Sequence, residues 1–239
     1  MKKMIDLTLS KKLSFQYKNA KPFPYIVIDG FLPETMLDGV VEEFNNNKNW
    51  WYDRVKWTEP FQVNKFYWPH DIESAKNMYN DLPTISKLVN HLNSPEMLKY
   101  LEELTGIDNL IGDELLMGGG LHKITSGGKL AIHRDYNVHP VKKMYRRLNL
   151  LIYLNKNWEK EWEGNLELWD KDYNNVQVSV GPIFNRAVIF TISDDSLHGH
   201  PTALKTPENV SRNSIALYYF TEINPDEGNE HSVVFYDEK

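Results

Sequence analysis

With 239 residues, 33 acidic against 27 basic side chains and a formal charge of −6, the chain lacks the clustered basic footprint that nucleic-acid phosphates demand. An apolar share of 41% and an aromatic share of 13% exclude general disorder, and the length fits a single domain. Cysteine is absent, which removes disulfides, thiolate metal sites and Cys nucleophiles together, so any metal must be held by His and carboxylate.

Met1 to Ser14 holds no apolar core of signal-peptide length, and no apolar run approaches the ~18 residues of a membrane helix, so a cytoplasmic protein with no membrane partner is expected. The first 20 residues read as a polar lead-in. Pro24 to Asp29 is a β-branched and aromatic run stopped by Gly30, a strand. Pro33 then opens a helix through about Asn45, whose Met36, Val40, Val41 and Phe44 form one stripe to pack on a sheet.

Trp50 to Trp68 is rich in aromatics without a clean period, and reads either as core and loop packing or as a lip over a pocket. Two helices follow, one near Pro83 to Leu92 and one with Ser94 as N-cap, Pro95 at its first position, Leu98, Leu101 and Leu104 inward and Gly106 as C-cap. From Leu110 onward short strands alternate with turns, at about 113–117, 120–125, 129–133, 147–154, 164–169, 175–180, 186–191, 197–200, 212–221 and 232–237. The helices' stripes need the sheet, so residues 1–239 are expected to be one domain, with a helical support over 1–109 and a β core over 110–237.

His133-Arg134-Asp135 sets an imidazole and a carboxylate two residues apart at a strand, where i and i+2 project from one face and can reach one metal ion. A second His from far along the chain would complete the set. His198 and His200 share a face, and either could serve. His198 is the candidate, because Gly199 leaves room beside it while Pro201 constrains His200.

Alternation splits Arg147 to Leu154 into Arg147, Asn149, Leu151 and Tyr153 on one face and Leu148, Leu150, Ile152 and Leu154 on the other. The all-apolar face should meet the helices, leaving the polar one inside, where such groups are costly unless satisfied or used. Arg212 to Phe220 divides likewise, with Arg212, Ser214, Ala216, Tyr218 and Phe220 inward. A guanidinium there wants a carboxylate, from an internal salt bridge or from a ligand gripped bidentately.

These pieces, His133-Arg134-Asp135, Arg147 through Trp158 into Gly164-Asn165-Leu166-Glu167-Leu168, His198-Gly199-His200-Pro201 and Arg212 through Phe220, stand in an order that resembles the Fe(II)/2-oxoglutarate-dependent dioxygenases of prolyl hydroxylase type over roughly residues 115 to 222. The resemblance implies a mainly β (α+β) fold, a double-stranded β-helix or jelly-roll with N-terminal supporting helices. It implies His133, Asp135 and His198 as iron ligands, Arg212 on the distal carboxylate of 2-oxoglutarate, and Tyr153 donating its hydroxyl to that same group. O2 would be the oxidant and ascorbate supportive. The expected reaction is hydroxylation of an unactivated C–H, with proline in a peptide or protein as first substrate and a free amino acid or other small metabolite as second.

The rivals are a cupin-type metal-binding module without turnover and a zinc hydrolase, neither of which needs a dicarboxylate anchor. Two departures stand out. Arg212 follows His198 by fourteen positions, longer than the family's usual interval, so either Thr202 to Ser211 forms a longer turn or the Arg enters from a shifted register. The tyrosine many prolyl hydroxylases carry before the metal His is missing, with His122, Lys123 and Ile124 in its place.

Overall fold

The computed structural model describes residues 7–47, 52–53, 60–223 and 229–237. Trp50, Trp51 and Trp57 of the aromatic stretch lie outside them. The first element is a helix, α1 (Leu7–Asn19), where a polar lead-in was expected. Its Leu13 and Tyr17 stand four apart on one stripe, and Tyr17, 1% exposed, hydrogen-bonds Thr191 Oγ1 at 2.6 Å. Strand β1 (Tyr25–Asp29) and α2 (Glu34–Asn46) follow, the helix burying Leu37, Val40 and Phe44 while Met36 and Val41 are partly covered.

The aromatic stretch becomes β2 (Tyr52–Asp53) and β3 (Gln62–Trp68). After them comes an unexpected helix, α3 (Ile72–Asp81), started by a reciprocal capping box between Asp71 and Ser74. The N-terminus of α4 (Pro83–Leu92) is closed from α2, where the Glu43 carboxylate accepts from Thr84 N at 3.1 Å and Ile85 N at 2.7 Å. In α5 (Pro95–Thr105), Ser94 accepts from Met97 N and Gly106 closes the end in the left-handed region, as expected.

The β part comprises β4 (Gly120–Arg134), β5 (Tyr145–Tyr153), β6 (Leu166–Trp169), β7 (Val176–Val180), β8 (Arg186–Thr191), β9 (His198–His200), β10 (Arg212–Thr221) and β11 (Val234–Phe235). Residues 113–117, expected as a strand, form turns instead: Asp113 accepts from Leu115 N and Met117 N, local bonds that compete with a sheet ladder. The strands at 120–125 and 129–133 are one long β4, bent near Gly127 and Gly128, where a side chain at 128 would meet Thr125 O at 2.7 Å.

That bend matters for topology. The strands form one curled antiparallel sheet in the order β1-β8-β5-β10-β4-β9-β6-β7, with β3 and β11 also pairing β4. Over Gly120 to Ile124, β4 pairs β10, and from Leu130 to His133 it pairs β9, so a single strand carries the chain from one layer to the other. This is the jelly-roll that was expected. The helices cover its outer face, where Leu148, Leu150, Ile152, Ile215 and Leu217 join the main core. A second core of Tyr153, Leu166, Leu168, Val188 and Phe190 lies on the opposite face, inside the curl.

Candidate active site

Strands β4 and β9 deliver three side chains to one point inside the curl. His133, Asp135 and His198 are 5–7% exposed and offer ligand atoms that all lie within 4.8 Å of one another. Their partners decide what they can do. His133 Nδ1 and His198 Nδ1 each sit 2.9 Å from a backbone carbonyl, of Ala131 and Ser196, which makes Nδ1 the donor and turns the Nε2 lone pair toward the shared point. The two Nε2 atoms stand 3.6 and 3.4 Å from Asp135 Oδ1 and Oδ2.

Asp135 is held as an anion. Arg146 Nη2 and Asn149 Nδ2 both donate to Oδ2 at 2.9 Å, while Asn149 Oδ1 accepts from Arg146 Nε and Nη2 at 3.0 and 2.7 Å. Burial pushes the carboxyl's pKa up, but Arg146, followed by the two imidazoles, outweighs it and leaves it well below the ordinary range. His198 moves the other way: burial, then His133, lowers its pKa to about 4, so its imidazole is neutral. Two imidazole nitrogens and one carboxylate on a buried face are a donor set that suits Fe(II).

Arg146 is the site residue that alternation missed. A β-bulge in β5, between the pairs Tyr219↔Leu148 and Phe220↔Arg146, inserts Arg147 as the extra residue and returns Arg146 to the inner face. Arg147, expected inside, does not line the cavity; its Nη1 donates to Thr221 Oγ1 at 3.2 Å. The Arg146 guanidinium lies 3.4 Å from the ring centre of Tyr218 and 4.6 Å from that of Tyr136, a cation stacked between two rings.

Arg212 also lines the cavity, and Tyr153 lies behind it in the second core, both buried and both on the inner face that alternation required. Arg212 Nε donates to Gly164 O at 2.7 Å and Nη2 to the Tyr153 hydroxyl at 3.2 Å. Among the described residues no carboxylate lies within ion-pair distance of it, so the internal salt bridge is ruled out there, and burial lowers its pKa uncompensated by any acid. Residues 201–211 form the expected long turn, pinned where Leu204 exchanges backbone hydrogen bonds with Gly127 and Gly128 beside the bend in β4.

The cavity wall is completed from both ends of the chain. Gln62, Lys65 and Tyr67 of β3 line it, so part of the aromatic stretch borders the pocket while Trp68 joins the core. Val233 and Phe235 close another side. Phe235 stacks on Phe61 at 4.9 Å and packs against His133 at 5.6 Å. Gly199, expected to leave room for a ligand, serves the backbone instead: a Cβ there would meet Ala131 O at 2.7 Å and Leu130 O at 2.8 Å. His200 lines the same cavity but stays outside the group of three.

Comparison with known proteins follows this geometry. Residues 119–220 match the 2OG-Fe(II) oxygenase superfamily. No curated protein matches the chain. Among solved structures it is similar to a prolyl hydroxylase in complex with a hypoxia inducible factor oxygen degradation domain peptide from Trichoplax adhaerens, at 20% identity and TM-score 0.56, covering 90% of this chain and 92% of that one. A prolyl 4-hydroxylase from Phytophthora capsici is 22% identical with TM-score 0.59, covering 90% of this chain and 65%, under two thirds, of that one. HygX from Streptomyces hygroscopicus, solved with nickel and 2-oxoglutarate bound, is 13% identical with TM-score 0.58, covering 95% and 96%.

Proposed function

From the match of residues 119–220 to the 2OG-Fe(II) oxygenase superfamily we propose that this chain is such an oxygenase and hydroxylates an unactivated C–H bond of proline in a peptide or protein. The observation that carries the reading is one cavity lined both by a buried His–carboxylate–His set and by a guanidinium that, among the described residues, has no carboxylate partner. A dicarboxylate that chelates through one end needs an anion anchor for the other.

His133, Asp135 and His198 would hold Fe(II), each through one donor atom. Fe(II) so bound supplies, with O2 and 2-oxoglutarate, the oxidising power for the C–H bond, the co-substrate leaving as succinate and CO2. Arg146 and Asn149 keep Asp135 ionised and fix its orientation. Arg212 and Tyr153 anchor the distal carboxylate. Leu151, Leu166 and Phe235 give the cavity dry walls.

The peptide reading is supported by a second groove, bordered by Met117, Val138, Pro140 and His231, that shares Tyr67, Gly118, Tyr136 and Val233 with the inner cavity. An extended segment lying there would present one side chain inward. A solved relative with hygromycin B bound favours a second reading, a small-molecule substrate. Mass spectrometry of a proline-containing peptide panel and a free amino-acid panel, each incubated with enzyme, Fe(II), 2-oxoglutarate and ascorbate, separates the two. A gain of one oxygen on peptidyl proline is expected; oxygen gained on a small molecule alone would overturn the peptide reading.

A further inference from the structure

One buried imidazole in the cavity has no task in that scheme. His200 is 2% exposed, lines the cavity, and among the described residues neither ring nitrogen has a hydrogen-bond partner. The contrast with its neighbours is chemical. His133 and His198 each have Nδ1 tied to a backbone carbonyl, the arrangement that prepares Nε2 for a metal, whereas nothing orients the ring of His200.

Its placement follows from the strand. Two residues beyond His198 on β9, His200 projects from the same face and pairs with Leu130 of β4, past the bend that brings the layers together. It lines one cavity with Arg212, Lys65, His133 and His122. An imidazole always keeps at least one N–H to donate, and among the described residues none accepts it. A buried donor left unmade is costly, and native sites retain one where a ligand completes it.

We infer that His200 is a third hydrogen-bond donor to 2-oxoglutarate, beside Arg212 and Tyr153, and that it helps set how tightly the pocket holds this dicarboxylate. The inference rests on the co-substrate reading given above. His200 does not touch the metal in this assignment; it acts on the organic anion alone.

The test is calorimetric titration of 2-oxoglutarate into Ni(II)-loaded protein, which reads binding without turnover, for wild type, His200→Leu, His200→Gln and Arg212→Lys. Loss of a hydrogen bond to a charged acceptor should weaken 2-oxoglutarate about tenfold or more in His200→Leu. His200→Gln, which keeps a donor, should recover most of that, and Ni(II) affinity without 2-oxoglutarate should stay unchanged. The ligand-free melting temperature of His200→Leu should rise, since an unpaired polar group has been replaced by an apolar one. His200→Val substitutes if the Leu variant does not fold. Unchanged 2-oxoglutarate affinity in the apolar variant would overturn the inference, as would loss of Ni(II), which would make His200 a ligand. If wild type itself takes up no 2-oxoglutarate, the pocket reading fails; if wild type binds, Arg212→Lys weakens and His200→Leu does not, only the role of His200 fails.

Discussion

Asp135 meets two demands at once, as the carboxylate of the proposed metal set and as the counter-charge of a fully buried arginine. Asp135→Ala should therefore do more than abolish metal binding. Stripping a buried guanidinium of its partner costs about 3–5 kcal/mol, or roughly 6–20 °C in melting temperature for a chain of this size. Asp135→Ala/Arg146→Met should regain most of that stability and none of the metal affinity; a wild-type melting temperature for the single variant would refute the coupling. Arg146→Met alone should leave the triad intact but release Asp135 to the burial that raises its pKa. A carboxylate must lose its proton to bind metal, so the acid limb of Ni(II) binding should move to higher pH, read by titration from pH 7 downward.

Arg212→Lys keeps the charge but cannot serve Gly164 O, Tyr153 and a carboxylate together. It should weaken 2-oxoglutarate roughly ten- to a hundredfold, on the ~1.5–3 kcal/mol scale of a charge-assisted hydrogen bond. Tyr153→Phe should cost less, roughly three- to tenfold. Titration of Ni(II)-loaded variants measures both, and unchanged affinity in Arg212→Lys would reduce that residue to a wall of the cavity.

Among the elements, β9 is only three residues long, yet it fixes His198 against β4. Gly199→Ala would push a methyl into the backbone of Leu130 and Ala131, parting the strands that hold two of the three ligands. Metal affinity should fall at least tenfold alongside a lower melting temperature, while wild-type Ni(II) binding would show that the strands can yield. The face that carries His198, Tyr153 and Arg212 was legible because a strand's period of two needs no tertiary information. The ends of α4 and α5 were legible from Pro83, Ser94, Pro95 and Gly106. Arg146 was not, because a bulge inserts a residue that the period cannot reveal, and the adjacent Arg147 satisfied the pattern equally well. Helix α3 was hidden because its signal lies in one capping box, and β3 because both its faces are occupied, Trp68 in the core and Tyr67 at the cavity.

For the whole molecule, the superfamily match ends at residue 220, but the structure does not divide there. Helices α1 to α5 and β1 lie on or beside the sheet in one continuous core. A fragment starting at Leu110 would bare Leu148, Leu150, Ile152, Ile215 and Leu217, so it should fail to give a cooperative melt and should bind a hydrophobic dye, whereas the full chain should unfold in one transition. A fragment that melts cooperatively would divide the chain into two domains. The wall formed by Val233 and Phe235 carries a different consequence, one of timing. The last ligand, His198, leaves the ribosome before the residues that cover His133, and at about 5–20 residues per second a few seconds separate the two. During synthesis the chain therefore passes through a stage in which His133, Asp135 and His198 have all been made and the side of His133 on which Phe235 packs is not yet covered.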